Sequence, residues 1–211
     1  MTNPVMIFGA NYLGRAAKEI FESNSVVIYG FLDDDKKTHN SEVDDVVVLG
    51  STDDDGFLKF IGKKCEAFVA LDDNKLRKAT VEMLQEVRHV QPVNAIHNKA
   101  IISTKAAIGH GNFVDVSASA APGSTIGNHC IIHAHSVIGV EAKLGNFVQI
   151  GAGSVINAGV EIGDEVFIGS GVIIVSGVTI GKGARVGAGS VVIGPVKAGE
   201  TVFGNPAQKV K

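Results

Sequence analysis

From residue 102 to residue 192 every sixth position is aliphatic: Ile102, Ile108, Val114, Ala120, Ile126, Ile132 and so on to Val192, sixteen positions in unbroken register. Four places after each, a second set is mostly Ala, Ser, Cys or Val, with Asn112 the main polar exception. Glycine directly follows the aliphatic residue in nine hexads, among them Gly139, Gly145, Gly151 and Gly169. A helix would repeat near 3.6 and a half-buried strand would alternate, so an interval of six fits neither. It fits a chain that makes three short strands per coil, with residues eighteen apart stacked about one strand spacing (~4.8 Å). The large aliphatic then points to a dry axis, the small residue sits where space is short near the bend, and glycine relieves backbone strain at the corners. The pattern predicts a left-handed parallel β-helix over residues 96–195, slightly more than five coils, with a tail at 196–211.

The first 95 residues are patterned differently. PVMIFGA, residues 4–10, is an apolar strand running into Gly9. RAAKEIFESN then reads as a helix, and VVIYGFL as a second strand ending at Asp33, Asp34 and Asp35. Val46–Leu49 and Ala67–Leu71 are further strands, and Asp73 or Asn74 can cap a helix KLRKATVEMLQEVR. Strand, glycine turn, helix, strand and acidic end is the order of a Rossmann-like α/β domain. Its turn would aim the backbone N–H groups of the helix N-terminus at an anion. Asn11 stands where that fingerprint has its middle glycine. Asp33 and Asp34 are ligand candidates beside the turn, whereas Asp35 and Asp72 read as solvated loop charge.

Composition sharpens this division: six of the 26 glycines lie in the first 95 residues, and both tyrosines do. Net charge is −3, which argues against a nucleic-acid binder. No apolar run approaches the roughly 18 residues of a membrane span. MTNPVMIFGA lacks the basic start of a secretory signal, so a cytoplasmic protein is expected. Cys65 and Cys130 form no zinc or disulfide pattern, and Cys130 falls on the small-residue position of its hexad, where a packed thiol is expected.

Read together, IFGANYLG, GFLDD, VVLG, LDDNKLR, AIHNKAIIS, the hexads and the closing VFGNPAQKVK resemble the bacterial sialic-acid and bacillosamine-type sugar acetyltransferases, over essentially the whole chain. The resemblance implies a homotrimer that moves an acetyl group from acetyl-CoA to an amine or hydroxyl of a nucleotide-linked sugar. It places the sugar nucleotide against Ala10, Asn11, Tyr12, Asp33, Asp34 and Gly50. It places acetyl-CoA in a groove between neighbouring β-helices, against Gln149, Gly151, Ala152, Ser170 and Ala188. No metal is expected. Ala152, Ser170 and Ala188 are eighteen apart and form one column, which suits a long ligand lying along the coil axis.

Acetyl transfer needs a base for the nucleophile's proton and N–H donors for the thioester oxyanion. Where the family carries a histidine base followed by an acid, this chain reads Gly139-Val140-Glu141-Ala142, and valine accepts no proton. Gln149 replaces a further histidine of the family. His129, His133 and His135 occupy the preceding coil, where they read as a displaced base (His133 or His135), a metal site, or solvated surface. His39, His89 and His110 show no evident partner and read as exposed. The rival to an active transferase is a homologue that binds a nucleotide sugar or acyl-CoA without turnover.

Overall fold

The computed structural model describes residues 3–210, and the chain divides into two compact units after Asn98. In the first, β1 (Val5–Phe8), α1 (Tyr12–Ser23), β2 (Ile28–Leu32), β3 (Glu42–Val43), β4 (Val46–Gly50), α2 (Asp55–Leu58), β5 (Glu66–Val69) and α3 (Asn74–Met83) follow in order. The sheet order is β3-β4-β2-β1-β5, parallel except for the β3–β4 hairpin. β1 is buried along its whole length, as expected of a central parallel strand. α1 lies against β1 and β2, and Phe21 meets Phe68 edge-on at 5.5 Å. A Cβ on Gly14 would stand 2.0 Å from the Gly9 carbonyl oxygen, so helix and strand come together only over glycine. Helix α3 is capped by Asp73 and passes into a π-helical turn at Leu84–Arg88, ending sooner as an α-helix than its pattern predicts.

The second unit is a parallel β-helix of two-residue strands. One sheet face stacks Ile101–Ile102, Ser119–Ala120, Val137–Ile138, Val155–Ile156, Ile173–Ile174 and Val191–Val192. A second face runs from Ala107–Ile108 to Thr179–Ile180. The third includes Phe113–Val114, Ile131–Ile132, Gln149–Ile150, Phe167–Ile168 and Arg185–Val186, and the tail hairpin Thr201–Gly204 with Ala207–Lys209 extends it. Within the coils partners are eighteen residues apart, and the second residue of each strand points inward: Ile138, Ile150, Ile156, Ile168 and Ile174 are fully buried.

The small inward set does more than save space. Asn112, Cys130, Ser136 and Ser154 each donate from the side chain to the carbonyl fifteen residues on, at Gly127, Gly145, Gly151 and Gly169. Asn112 also accepts from the Cys130 N–H, so the polar exception in the pattern is fully engaged.

The role expected of glycine needs correcting. Glycines directly after the aliphatic residue have ordinary φ. They are required because a Cβ at Gly151 would lie 2.4 Å from the Ser170 nitrogen of the adjacent coil. The left-handed backbone comes two residues later, at Gly153 (φ +68°), Gly171 and Gly189, and at His129, His135, Glu141 and Phe147 with side chains.

Candidate functional site

In the first unit the C-terminal ends of β1, β2, β4 and β5 come together at one edge of the sheet, where ligands of open parallel sheets bind. Ala10 N–H donates to Asp33 Oδ2 at 2.7 Å, and Asp33 N–H donates to the Gly50 carbonyl at 2.9 Å. Asp34 Oδ1 accepts both the N–H and the hydroxyl of Thr52 at 2.9 Å. The expected substrate residues Ala10, Asp33 and Gly50 are therefore tied into one network across three strand ends, with Asp34 beside it.

Two expectations fail here. The Asn11 side chain accepts from Leu13 N–H and Gly14 N–H, so it occupies donors at the start of α1 that were expected to face an anion. Asp72 is also more than loop charge. It accepts the hydroxyl of Tyr12, and burial together with this acceptor pushes the phenol up to about 12. The Tyr12 ring is otherwise exposed. Behind it, the buried Arg77 donates to Leu71 O (2.7 Å), Asp72 O (3.1 Å) and Asn74 Oδ1 (2.5 Å), fixing the β5–α3 loop. His39 is engaged too, its Nε2 lying 2.7 Å from the Asp33 carbonyl. Thr52 and Asp72 escape a reading of the sequence because each acts through a partner distant along the chain, and Arg77, whose partners are local, escapes because its burial is set by the fold.

In the β-helix, Ala134, Ala152, Ser170 and Ala188 form one corner column. Their carbonyls at 134, 152 and 170 accept from Gly153, Gly171 and Gly189 of the next coil. Their own N–H groups meet no acceptor among the described residues. Where a column is closed, side chains do the closing: His110, Asn128 and Asn146 N–H groups donate to Asn128, Asn146 and Asp164 Oδ1. The Ala134 column is thus a line of outward donors at coil spacing, and among the described residues the corner column Val140, Ala158 and Ser176 is open in the same way. Gly153, Gly171 and Gly189 leave the space beside the Ala134 column clear.

His133 and His135 flank Ala134 and so border this column one coil from Ala152. His133 is half-buried, edge-on to Phe113 at 6.0 Å, and His135 is exposed. His129 is not solvated surface: it is 4% exposed and stacks on Phe147 at 4.9 Å. Val140 and Glu141 occupy the corner at the far end of the Val137–Ile138 strand, and the exposed Glu141 side chain bonds neither histidine. The three candidate catalytic residues are therefore not one cluster within the protomer. Among the described residues no three His, Cys, Asp or Glu side chains come together as metal ligands.

Residues 4–84 match the PglD N-terminal domain, and residues 141–175 and 163–194 match the bacterial transferase hexapeptide repeat. The chain thus joins a PglD-type N-terminal domain to hexapeptide repeats, and its structural neighbours are sugar acetyltransferases of that build. It is similar to a histidine-to-asparagine variant of perosamine N-acetyltransferase from Caulobacter crescentus, solved with CoA and GDP-perosamine. That match has 28% identity and TM-score 0.88, covering 100% of this chain and 98% of that one. It is similar also to the acetyltransferase domain of PglB from Neisseria gonorrhoeae FA1090 with acetyl coenzyme A, at 26% identity and TM-score 0.90 with both chains fully covered. WeeI from Acinetobacter baumannii AYE matches at 25% identity and TM-score 0.78, over 98% of this chain and 99% of that one. No curated protein matches by sequence.

Proposed function

We propose that the protein transfers the acetyl group of acetyl-CoA to an amino or hydroxyl group of a nucleotide-linked sugar. The observation that carries this reading is the column of unpartnered N–H groups at Ala152, Ser170 and Ala188, beside clear space. Such donors suit the amide carbonyls of a pantetheine arm and the oxyanion formed when a thioester is attacked. Gln149 and Gly151 border the same line. The first unit, Rossmann-like over residues 1–95, holds the nucleotide sugar through Ala10, Asn11, Tyr12, Asp33, Asp34 and Gly50. Residues 96–195 coil in the left-handed sense, and 196–211 close the end.

The neutral nucleophile attacks the acetyl carbon, a C–N or C–O bond forms, the C–S bond breaks, and the coenzyme thiol leaves. The nucleophile's proton goes to a histidine. With Val140 at the family's base position, His133 or His135 takes that role, and Glu141 of an adjacent protomer supports it. A homotrimer supplies the second wall. Its support is the sheet face bearing Ile101, Val137 and Ile173, which are 71%, 39% and 41% exposed, whereas the second face carries Thr125, Lys143, Glu161 and Thr179. The supply of acetyl-CoA makes the cytoplasm the setting.

Calorimetric titration with acetyl-CoA tests the coenzyme site without naming the sugar: binding near one site per chain is expected, and none at millimolar ligand overturns the reading. Separate His133→Ala and His135→Ala variants then test the base, and equal turnover by both removes the histidine assignment. Val140, 48% exposed and unable to take a proton, supports a second reading, a binding homologue without turnover. Tight binding of both ligands with no acyl transfer would establish it.

A further inference from the structure

The site proposed for the nucleotide sugar is built from two segments, the glycine turn into α1 and the chain that leaves β2, and these are cross-linked twice. The inner link is the bond from Ala10 N–H to Asp33 Oδ2. The outer link lies one turn further along α1, where Arg15 Nε donates to Asp44 Oδ2 at 2.8 Å and Nη2 to Asp44 Oδ1 at 2.7 Å. Both side chains are about half exposed, and a single contact there would contribute little. A guanidinium and a carboxylate joined by two parallel bonds fix direction as well as distance. The hydrogen-bonded guanidinium also holds the Asp44 carboxyl below the usual carboxylate range.

Asp44 stands where the chain most needs holding. Strand β3 is two residues long and lies at the edge of the sheet, with Glu42 opposite Val47 and Val43 opposite Val46 of β4. The hairpin loop is therefore Asp44–Asp45 alone. Their φ angles, +48° and +66°, are the left-handed pair that a two-residue loop demands and that Asn-Gly meets most easily. Two aspartates make that pair costly, and a ribbon this short does not sustain itself. Toward Asp33 the chain is tied by His39 Nε2, 2.7 Å from the Asp33 carbonyl, by Asn40 N–H on Val48 O at 2.8 Å, and by Ser41 O accepting Val48 N–H at 2.9 Å. A hairpin that opens at its tip loosens this whole segment, and with it the placing of Asp33 and Asp34.

We propose that Arg15 and Asp44 are positioning residues for the nucleotide-sugar site: their paired bonds clamp the β3–β4 hairpin to α1 and set Asp33 and Asp34 in place before a ligand arrives. Neither residue touches the ligand. The clamp rests on the nucleotide-sugar reading above. With it broken, the segment 33–45 has to be ordered on binding, and the cost of that ordering is subtracted from affinity. The donor column belongs to the second unit and shares no residue with the clamp.

The test is calorimetric titration of the full chain with UDP, GDP, dTDP and CDP, and separately with acetyl-CoA. Wild type is compared with Arg15→Gln, Asp44→Asn and the double variant, each shown folded by its melting curve. The diphosphate that wild type binds most tightly is expected to bind about 5-fold more weakly to each single variant, and no more weakly to the double variant, while acetyl-CoA affinity stays unchanged. Arg15→Lys keeps the charge but not the fork, and it should recover only part of the loss. Added salt should shrink the gap between wild type and Arg15→Gln, because an exposed pair is screened. Loss in Arg15→Gln with wild-type affinity in Asp44→Asn would put Arg15 on the ligand itself and overturn the clamp. Wild-type affinity in both variants, losses that add in the double variant, or an equal loss for acetyl-CoA would overturn it too, leaving the nucleotide-sugar reading intact. Absence of diphosphate binding by wild type overturns both.

Discussion

Replacing Arg77 by Met removes the guanidinium while keeping an unbranched apolar stem of similar length. Three charge-assisted bonds go with it, to Leu71 O, Asp72 O and Asn74 Oδ1. Hydrogen bonds from a charged donor contribute about 1.5–3 kcal/mol each when lost singly. Here they share one donor group, the freed carbonyls at the loop can take water, and the buried charge no longer has to be desolvated. The expected net loss is therefore about 2–4 kcal/mol, well short of the sum. The chain has no tryptophan, and both tyrosines, Tyr12 and Tyr29, lie in the first unit, so tyrosine fluorescence during urea unfolding reports that unit selectively. The midpoint should fall with little change in slope. A second readout is specific to the site. With the loop released, Asp72 no longer holds the Tyr12 hydroxyl, and the phenol should ionise below its present value of about 12. A midpoint within about 0.5 kcal/mol of wild type, or an unmoved Tyr12 titration in a destabilised variant, would refute the argument that Arg77 supports Tyr12 through the loop.

Four further outcomes are expected. Because folding raises the Tyr12 pKa above the ordinary 10, the neutral phenol favours the folded state. That contribution is complete below pH 10 and is lost as pH rises toward 12, and Asp72→Asn should shift the loss to lower pH in alkaline unfolding followed by tyrosinate absorbance. In the coil axis, Ile156 is stacked between Ile138 and Ile174, all fully buried, so Ile156→Ala should cost about 2–5 kcal/mol and Ile156→Val about 0.5–1.5 by thermal unfolding. Gly153→Ala meets no atom and should cost only the left-handed backbone penalty of about 1–2 kcal/mol, whereas Gly151→Ala forces the adjacent coil away and should cost more; equal melting points would contradict the distinction. Asn146→Ala leaves the part-buried Asn128 N–H without its acceptor and should destabilise by about 1–3 kcal/mol, with Asn146→Asp milder.

Much of this molecule was legible in one dimension because a β-helix contacts itself at a fixed interval. Residues eighteen apart stack, so the aliphatic positions from Ile102 to Val192 announce the axis, and the glycines after them announce the crowded approach of the next coil, though their conformational role was misread. Strand β1, the glycine turn and Asp33 were legible for a similar reason: apolar runs and a turn signal are local. The sequence by itself thus determined the two-part build and the coil repeat. The tertiary structure decided what lies between distant segments. It joined Tyr12 to Asp72 and Thr52 to Asp34, buried His129 against Phe147, and set Phe203 over Gly187. Those pairings depend on which loops meet at a sheet edge or a coil end, and no spacing along the chain encodes that meeting, because it is fixed only when the cores on either side have closed.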